Sequence, residues 1–336
     1  MPNDTYFNDF GSEQIVFSVW LTFACISGLL CNIRTLYKEY QQIKSQPLIP
    51  LRVLILIVFL TDFIWMFSHS IIYFMQTVEK RMLTGFGCYF IPISGVWLAS
   101  GSCVTMAYIA YERYRLIVCE KMVTMKHMIF WMTIIWSLAF IMGCMPAFYK
   151  EEKDFGIEVT STGAFCMHMW YDSRPLGRAH GILSILSCSF SILFIAYFYH
   201  RVYKKYREVT GNILVVRTNV KEEEKEVVHK LVMIVYLFIA CWLLYLFVML
   251  IQVIVGHPLN SIYEGIATIL VYLNPTFNAL YYSYPSAKKE DKKPNPSPIS
   301  IAGSTKSASQ SGIIFVNASR PVNMPISPIH KKRKSI

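Results

Sequence analysis

The stretch YIAYERYRLIV (residues 108–118) ends a long uncharged segment abruptly. Residues 88–111 contain no Asp, Glu, Lys or Arg, and Glu112 and Arg113 follow at once. About 20 apolar residues are enough for a helix to cross the hydrocarbon core of a bilayer. The sequence therefore predicts a membrane-spanning helix over residues 88–111, with Glu112 and Arg113 where this helix leaves the lipid.

Six further uncharged or nearly uncharged runs of similar length occur along the chain. Of the 336 residues, 54% are hydrophobic and only 16% are charged, whereas soluble domains are about a quarter charged. Lipid cannot satisfy an open backbone, so such runs cross the bilayer as helices. We predict an all-α membrane protein, a seven-transmembrane helix bundle, and exclude a soluble domain. The seven runs cover residues 14–37, 51–78, 88–111, 127–149, 179–200, 231–256 and 260–284.

Basic residues are distributed unevenly between the connecting segments. The segments after the first, third, fifth and seventh spans carry 26 Lys and Arg, and the other segments carry 6. Basic segments stay in the cytoplasm, so we predict that the N-terminus is outside. Most of the formal net charge of +11 then faces anionic lipids of the inner leaflet. This placement explains the charge without nucleic-acid binding.

The predicted organisation has three parts: an extracellular tail (1–13), a transmembrane domain (14–284) and a cytoplasmic tail (285–336). The last part is basic and rich in Ser, which indicates disorder. The charged ends of the 201–230 loop indicate that helices five and six extend into the cytoplasm. Asn3 begins an Asn-Asp-Thr sequon on the outer side, a predicted glycosylation site. We expect a multi-pass protein of the plasma membrane.

The chain has nine cysteines. Only Cys88 and Cys166 fall at the outer surface of the predicted topology. A pair of cysteines in an oxidising compartment favours a disulfide. We predict a Cys88–Cys166 bond that ties the 150–178 loop to the third helix, with two free thiols as the alternative.

Several motifs, in this order and at these spacings, resemble the rhodopsin-like (class A) G protein-coupled receptors. Cys88 precedes Arg113 by 25 residues, GLLCN ends at Asn32, and LTD ends at Asp62. Trp136 resembles the tryptophan of the fourth helix. The segment EKEVVHKLVMIVYLFIACW (residues 224–242) resembles helix six of the opsin branch. The resemblance covers residues 14–284 approximately.

The resemblance implies a switch at the cytoplasmic end of the bundle. In the resting form Arg113 pairs with Glu112 and with Glu224 at the base of helix six. Breaking these pairs lets helix six swing outward and exposes a groove for a heterotrimeric G protein. A Glu-Arg pair that only marks the membrane edge is the alternative. The residues assigned to the switch and to coupling are Glu112, Arg113, Tyr114, Met122, Tyr199, Glu224 and Tyr282.

Asp62 lies mid-span, where an ionisable group is costly and usually functional. The resemblance implies a pocket for a sodium ion and water around it, and carboxylate, hydroxyl and amide oxygens suit a hard cation. A polar network of water without a specific ion is the alternative. The residues of this polar pocket are Asn32, Asp62, Ser102, Asn274 and Asn278.

Helix seven departs from the family motif Asn-Pro-x-x-Tyr. With Asn274 and Pro275 on the motif, Asn278 stands where tyrosine belongs. The register we prefer is four residues later, with Asn278 as the asparagine and Tyr282 as the tyrosine. Leu244 stands where helix six of the family has a proline, which indicates a divergent branch.

The ligand pocket is predicted near the outer ends of the helices. Retinal needs a lysine in helix seven, but residues 260–284 contain none, and Thr268 or Tyr272 stands in its place. Gly95 occupies the position where amine receptors have an aspartate. A small uncharged or apolar ligand is therefore expected, with no cofactor apart from the candidate sodium. The predicted pocket residues are Gly95, Trp97, Trp242, Tyr245 and Tyr272.

The predicted function is a receptor that binds a ligand and activates a G protein. Arrestin and a receptor kinase are further expected partners at the tail. The spans show no HExxH, GxSxG or His-x-x-x-His pattern, so an enzyme is not expected. A seven-helix transporter or a ligand-independent membrane protein are the alternatives.

Overall fold

The computed structural model describes residues 11–45, 48–80, 86–148, 156–172, 174–211 and 218–283. A short 3₁₀ helix (Met145–Phe148) follows the fourth α-helix, and two short strands, β1 (Ile157–Val159) and β2 (Cys166–His168), precede the fifth. Residues 1–10 of the predicted extracellular tail, which include Asn3, and the predicted cytoplasmic tail lie outside the described residues. The α-helices in this part of the chain are α1 (Ser12–Ser45), α2 (Pro50–Glu79), α3 (Phe86–Ile117), α4 (Met125–Cys144), α5 (Pro175–Gly211), α6 (Thr218–Val255) and α7 (Ser261–Ser283).

The seven predicted helices are confirmed. By length and apolar composition, α1 to α6 can each cross a membrane. α7 is more polar than these six helices, because it carries Glu264, Asn274 and Asn278. It packs between α1 and α6. Large apolar side chains such as Leu193 and Leu30 point outward from the bundle. Such a surface fits lipid and not water.

α3 lies at the centre of the bundle, where it packs on α2, α4, α5 and both strands. Glycines let α3 and α4 approach closely. A Cβ added to Gly143 would lie 2.7 Å from the Ile93 backbone oxygen and 3.0 Å from Trp97 Cβ. The absence of a side chain at Gly143 therefore sets the spacing of the two helices at their outer ends.

We expect Gly143→Ala to lower the free energy of unfolding by about 1–3 kcal/mol, the range for overpacking a tight core. The new methyl group meets a backbone carbonyl, which can move only if α4 moves with it. Thermal unfolding of the purified protein measures the effect. Gly95→Ala is the matched control, since its Cβ would meet only His69 Cε1 at 3.7 Å. Equal melting temperatures for the two variants would contradict this interpretation.

A β-hairpin covers the outer end of the bundle. β1 and β2 are antiparallel, with Val159 opposite Cys166. The predicted Cys88–Cys166 disulfide is confirmed, with 5.2 Å between the two Cα atoms, and it fastens β2 to the start of α3. At the hairpin turn, Gly163 has a positive φ of 68° and packs near Gln14 of α1. The hairpin therefore reaches from α3 across to α1.

Candidate functional site

A partly open cavity lies directly beneath the hairpin. It has about 630 Å³ of empty space, including space open to the surroundings, and is lined by residues of α2, α3, α5, α6, α7 and the hairpin. Gly95, Trp242, Tyr245 and Tyr272, four of the predicted pocket residues, lie on its wall. Its wall is mainly apolar with a few polar side chains, the composition that small-molecule sites share. The cavity is thus a candidate ligand site.

The expectation for Trp97 needs correction, because this side chain does not line the cavity. Its ring packs against the rings of Trp136 at 6.5 Å and Phe140 at 5.1 Å, both on α4. Trp97 follows Gly95 by two residues, and two residues turn an α-helix by about 200°. When Gly95 faces the cavity, Trp97 must face α4.

A buried polar network adjoins the cavity between α2, α3 and α7. His69 Nδ1 lies 2.7 Å from the Tyr272 hydroxyl, and His69 Nε2 lies 2.9 Å from Ser94 Oγ. Tyr73 and Tyr272 hydroxyls are 2.9 Å apart. This network holds the Tyr272 side chain in place. In one of the two registers of the helix-seven motif, Tyr272 stands where retinal receptors have their lysine. Sequence reasoning missed it, although His69 and Tyr73 are one helical turn apart on α2.

Glu264 ties the hairpin to the helices at the outer end of the bundle. Its Oε2 accepts hydrogen bonds from the Ser161 hydroxyl and, at 3.1 Å, from the Ser161 backbone N–H. Its Oε1 accepts from Gln252 Nε2 of α6 at 3.5 Å. Glu264 is 6% exposed. Sequence reasoning overlooked this acid, because it stands near the start of the seventh span and its partner is 103 residues away.

We expect Glu264→Gln to speed hydrogen exchange of the Ser161 amide and its hairpin neighbours by about tenfold or more. Hydrogen bonds to a charged acceptor contribute about 1.5–3 kcal/mol, and a neutral amide replaces only part of this. Mass-spectrometric hydrogen exchange measures the change. Glu13→Gln is the matched control, because Glu13 accepts from Ser261 at 2.6 Å in an exposed pair at the same end. Unchanged exchange in Glu264→Gln would show that Glu264 does not hold the hairpin.

The hairpin also places a histidine on the cavity wall. His168 is 4% exposed, and its Nε2 lies 3.0 Å from the Pro92 carbonyl oxygen. Burial, together with the nearby His180 ring, lowers the pKa of His168 to about 3 from its ordinary value of 6.5, although the Pro92 contact opposes the shift. The ring is therefore neutral near pH 7.

The predicted polar pocket lies deeper in the bundle. Asp62 is fully buried, and Ser102 Oγ donates to its Oδ1 at 3.2 Å. Asn32 Nδ2 donates to the Gly28 carbonyl oxygen at 2.8 Å. The oxygens that find no hydrogen-bond partner among the described residues are Asp62 Oδ2, Asn32 Oδ1, Asn274 Oδ1 and Asn278 Oδ1.

Four buried, unpartnered oxygens, one of them from a carboxylate, have the chemistry that a hard cation prefers. The chemical type of these oxygens therefore suits a sodium ion. Ordered waters would satisfy the same atoms, so both alternatives for this pocket stay open. Asn274 and Asn278 are both buried on the inner face of α7. They lie one turn apart, and burial alone therefore does not select between the two registers of the helix-seven motif.

The Glu-Arg-Tyr motif lies at the opposite end of α3 from the cavity. Glu112 is buried at 6% exposure. Within the described residues, Glu112 Oε2 and Arg113 Nε have no hydrogen-bond partner, and the two side chains form no ion pair with each other. Arg113 interacts electrostatically with Glu112 and lies near Tyr199 of α5. Glu224 lies in α6, but its side chain is outside the described residues.

The remaining predicted coupling residues are Tyr114, Met122 and Tyr282, and each has a different environment. The Tyr114 ring packs on Phe198 of α5 with centroids 5.2 Å apart. Met122 is 63% exposed in the segment between α3 and α4. The Tyr282 hydroxyl donates to Glu39 Oε1 of α1 at 2.9 Å. Sequence reasoning missed the buried Glu39, which stands among the charged residues after the first predicted span and there resembles an ordinary solvated loop.

Comparison with known proteins identifies the class. A family model described as 7 transmembrane receptor (rhodopsin family) matches residues 16–282. The chain therefore belongs to the rhodopsin family of seven-transmembrane receptors.

The structure is also similar to the crystal structure of squid rhodopsin, with a TM-score of 0.67 at 15% sequence identity over 82% of this chain and 83% of that chain. At this identity the likeness shows the fold alone. A search of curated proteins found no match. Membership in the family makes the protein a multi-pass membrane receptor of the G protein-coupled class.

Proposed function

We propose that this receptor binds a small ligand in the cavity beneath the hairpin and activates a heterotrimeric G protein at the plasma membrane. The observation that carries the proposal is the arrangement of α3. One end of this helix lines the cavity through Gly95, and the other end carries Glu112 and Arg113. A single buried element thus connects the candidate ligand site with the predicted coupling surface.

The chemistry of the cavity supports an uncharged or mainly apolar ligand. Among the residues of its described wall, none is Asp, Glu, Lys or Arg. A charged ligand would lose its hydration without gaining a partner, which is strongly unfavourable. Retinal does not fit, because its Schiff base requires a lysine and the wall presents Thr268 and Tyr272 instead.

Trp242 supports a route from the cavity to the cytoplasmic end. It lies on the cavity wall, and its ring is 5.9 Å from the ring of Phe238, one turn further toward the cytoplasm on α6. A ligand that contacts Trp242 can therefore bias the position of α6, provided that it binds two arrangements of this helix with different affinity. Outward movement of α6 would expose the surface around Arg113 and Tyr199.

Nucleotide exchange on purified G proteins tests the proposal. The receptor in lipid nanodiscs is mixed with a panel of Gα subunits and βγ, and binding of a non-hydrolysable GTP analogue is followed over time. We expect faster exchange on at least one Gα subunit than with empty nanodiscs. Empty nanodiscs are the control for spontaneous exchange. If no Gα subunit responds, either to the receptor alone or with neutral fragment mixtures added, the proposed function is wrong.

A further inference from the structure

A second apolar groove lies between α3, α4 and α5, closer to the cytoplasmic end of the bundle than the cavity. Each helix contributes residues three or four positions apart, such as His127, Trp131 and Ile135 on α4, which lie on one helical face. Trp131 and the α5 residues Phe190 and Phe194 are 42%, 60% and 40% exposed. These exposed side chains belong to predicted spans, so lipid and not water surrounds the groove. A molecule that fills the groove therefore enters from the bilayer.

The cytoplasmic end of the groove is polar. Trp131 Nε1 donates to His127 Nε2 at 3.1 Å, and His127 Nδ1 lies 3.0 Å from the Tyr108 hydroxyl of α3. An indole nitrogen can only donate, so Nε2 is the acceptor and the neutral ring carries its hydrogen on Nδ1. Nδ1 consequently donates to the Tyr108 oxygen. The Tyr108 hydroxyl keeps its own hydrogen for another partner.

This polar end can be reached from the bilayer, and its chemistry favours a neutral molecule. The Trp131–His127 hydrogen bond is exposed, and the His127–Tyr108 contact is only partly buried. Among the residues of the described groove wall, none is Asp, Glu, Lys or Arg. Glu112 and Arg115 lie near Tyr108 and carry opposite charges. An ionic head group therefore finds no net countercharge, whereas an uncharged oxygen can accept from Tyr108.

The length of the groove favours a short, rigid occupant. From His127 to Ile135, α4 rises about 12 Å along its axis, at about 1.5 Å per residue. This length is similar to that of the fused rings of a sterol, and it is shorter than an extended phospholipid acyl chain. The Phe190 and Phe194 rings, with centroids 4.4 Å apart, form an aromatic wall. A rigid ring system loses less conformational entropy against such a wall than a flexible chain does.

We propose that the groove binds a sterol of the cytoplasmic leaflet, with the sterol oxygen accepting from Tyr108 and the sterol rings packed between Trp131 and Phe190. The sterol hydroxyl hydrogen then faces the head groups and water at the membrane surface. Tyr111 and Phe198 also line the groove, and their ring centroids are 5.5 Å apart, so a bound sterol supports this contact between α3 and α5. The site is separate from the cavity and does not rest on the proposed function.

Photolabelling in a membrane tests the proposal. The full chain is placed in phosphatidylcholine nanodiscs with a trace of a cholesterol analogue that carries a diazirine in its ring system, and labelled peptides are located by mass spectrometry after illumination. We expect label within residues 127–135 of α4 or 190–198 of α5, and added cholesterol should displace it. Epicholesterol is the matched control, because its hydroxyl leaves the plane of the rings. It should compete about fivefold more weakly, the effect of one hydrogen bond.

Variants locate the contacts of the sterol. Tyr108→Phe removes the donor, so about fivefold more cholesterol should be needed to displace the label, and the preference over epicholesterol should disappear. Phe190→Ala removes part of the aromatic wall and should weaken cholesterol binding by about threefold or more. Phe74→Ala is the matched control for this variant, since Phe74 is a 53% exposed phenylalanine on α2 outside the groove, and it should bind cholesterol as the unaltered protein does.

Other outcomes would overturn the proposal. Equal competition by cholesterol and epicholesterol would show that sterols act on the bilayer and not at this groove, as would label confined to other helices. A phosphatidylcholine with a photoreactive acyl chain that labels the same peptides and is not displaced by cholesterol would assign the groove to a phospholipid chain. If Tyr108→Phe does not fold, the comparison of the two epimers in the unaltered protein still decides.

Discussion

We expect the receptor with both Cys88→Ala and Cys166→Ala to have a free energy of unfolding lower by about 3 kcal/mol, the middle of the range for losing a native disulfide. The bond closes a loop with a sequence separation of 78, and a closed loop of this length restricts the unfolded chain strongly. It also holds β2 over the cavity. Hydrogen exchange of the hairpin should therefore rise together with the loss of stability.

Chemical unfolding in detergent measures the change. Cys144→Ala is the control, because Cys144 is a free, half-buried cysteine at the end of α4 and its replacement should leave the stability unchanged. The single variants Cys88→Ala and Cys166→Ala should each lose about as much as the double variant, since either one breaks the same bond. If the double variant matches the unaltered protein, the hairpin is held by noncovalent contacts such as Ser161 with Glu264.

The second large effect concerns Arg113→Ala, which we expect to reduce nucleotide exchange by at least about tenfold, or 1.4 kcal/mol of activation free energy. Arg113 stands at the cytoplasmic end of α3, near Tyr199 and Tyr282. Removing the guanidinium removes the donors through which α3 can pair with these helices and with a partner protein. Ligand binding in the distant cavity should be unchanged.

Arg115→Ala is the matched control, two residues further along the same helix. The Arg115 guanidinium lies 6.0 Å from the centroid of the Tyr111 ring. Arg115→Ala removes a positive charge at the membrane edge, as Arg113→Ala does. If both substitutions reduce nucleotide exchange equally, exchange depends on the positive charge of this surface and not on the position of Arg113. If neither reduces it, the role assigned to Arg113 is wrong.

The uncharged runs and the order of the motifs were enough to predict the seven helices and the disulfide. These features depend on composition and on local spacing, which a single sequence displays. α5 continues to Gly211, past the end of the span predicted at residue 200, as the charged ends of the 201–230 loop indicated. In the bilayer a helix requires apolar side chains, but beyond it the same helix continues with charged ones.

Pairings between distant segments could not be predicted in this way. His69 and Tyr272 are 203 residues apart, and Glu264 and Ser161 are 103 residues apart. No periodicity links such residues, because only the packing of helices brings them together. The β-hairpin was missed for a related reason: its strands have three residues each, too few to show an alternating pattern. Trp97 was wrongly assigned to the cavity, because its aromatic character was considered and the side of α3 on which it lies was not.

Nucleotide exchange by one set of receptors tests the central claim most directly. The unaltered receptor, Glu112→Gln and Arg113→Ala are placed in identical nanodiscs with the same Gα subunit, without added ligand. Loss of the Glu112 charge removes its electrostatic attraction for Arg113, so we predict that exchange is fastest with Glu112→Gln, intermediate with the unaltered receptor and slowest with Arg113→Ala. The same rate in all three, equal to that of empty nanodiscs, would contradict the account of this chain as a G protein-activating receptor.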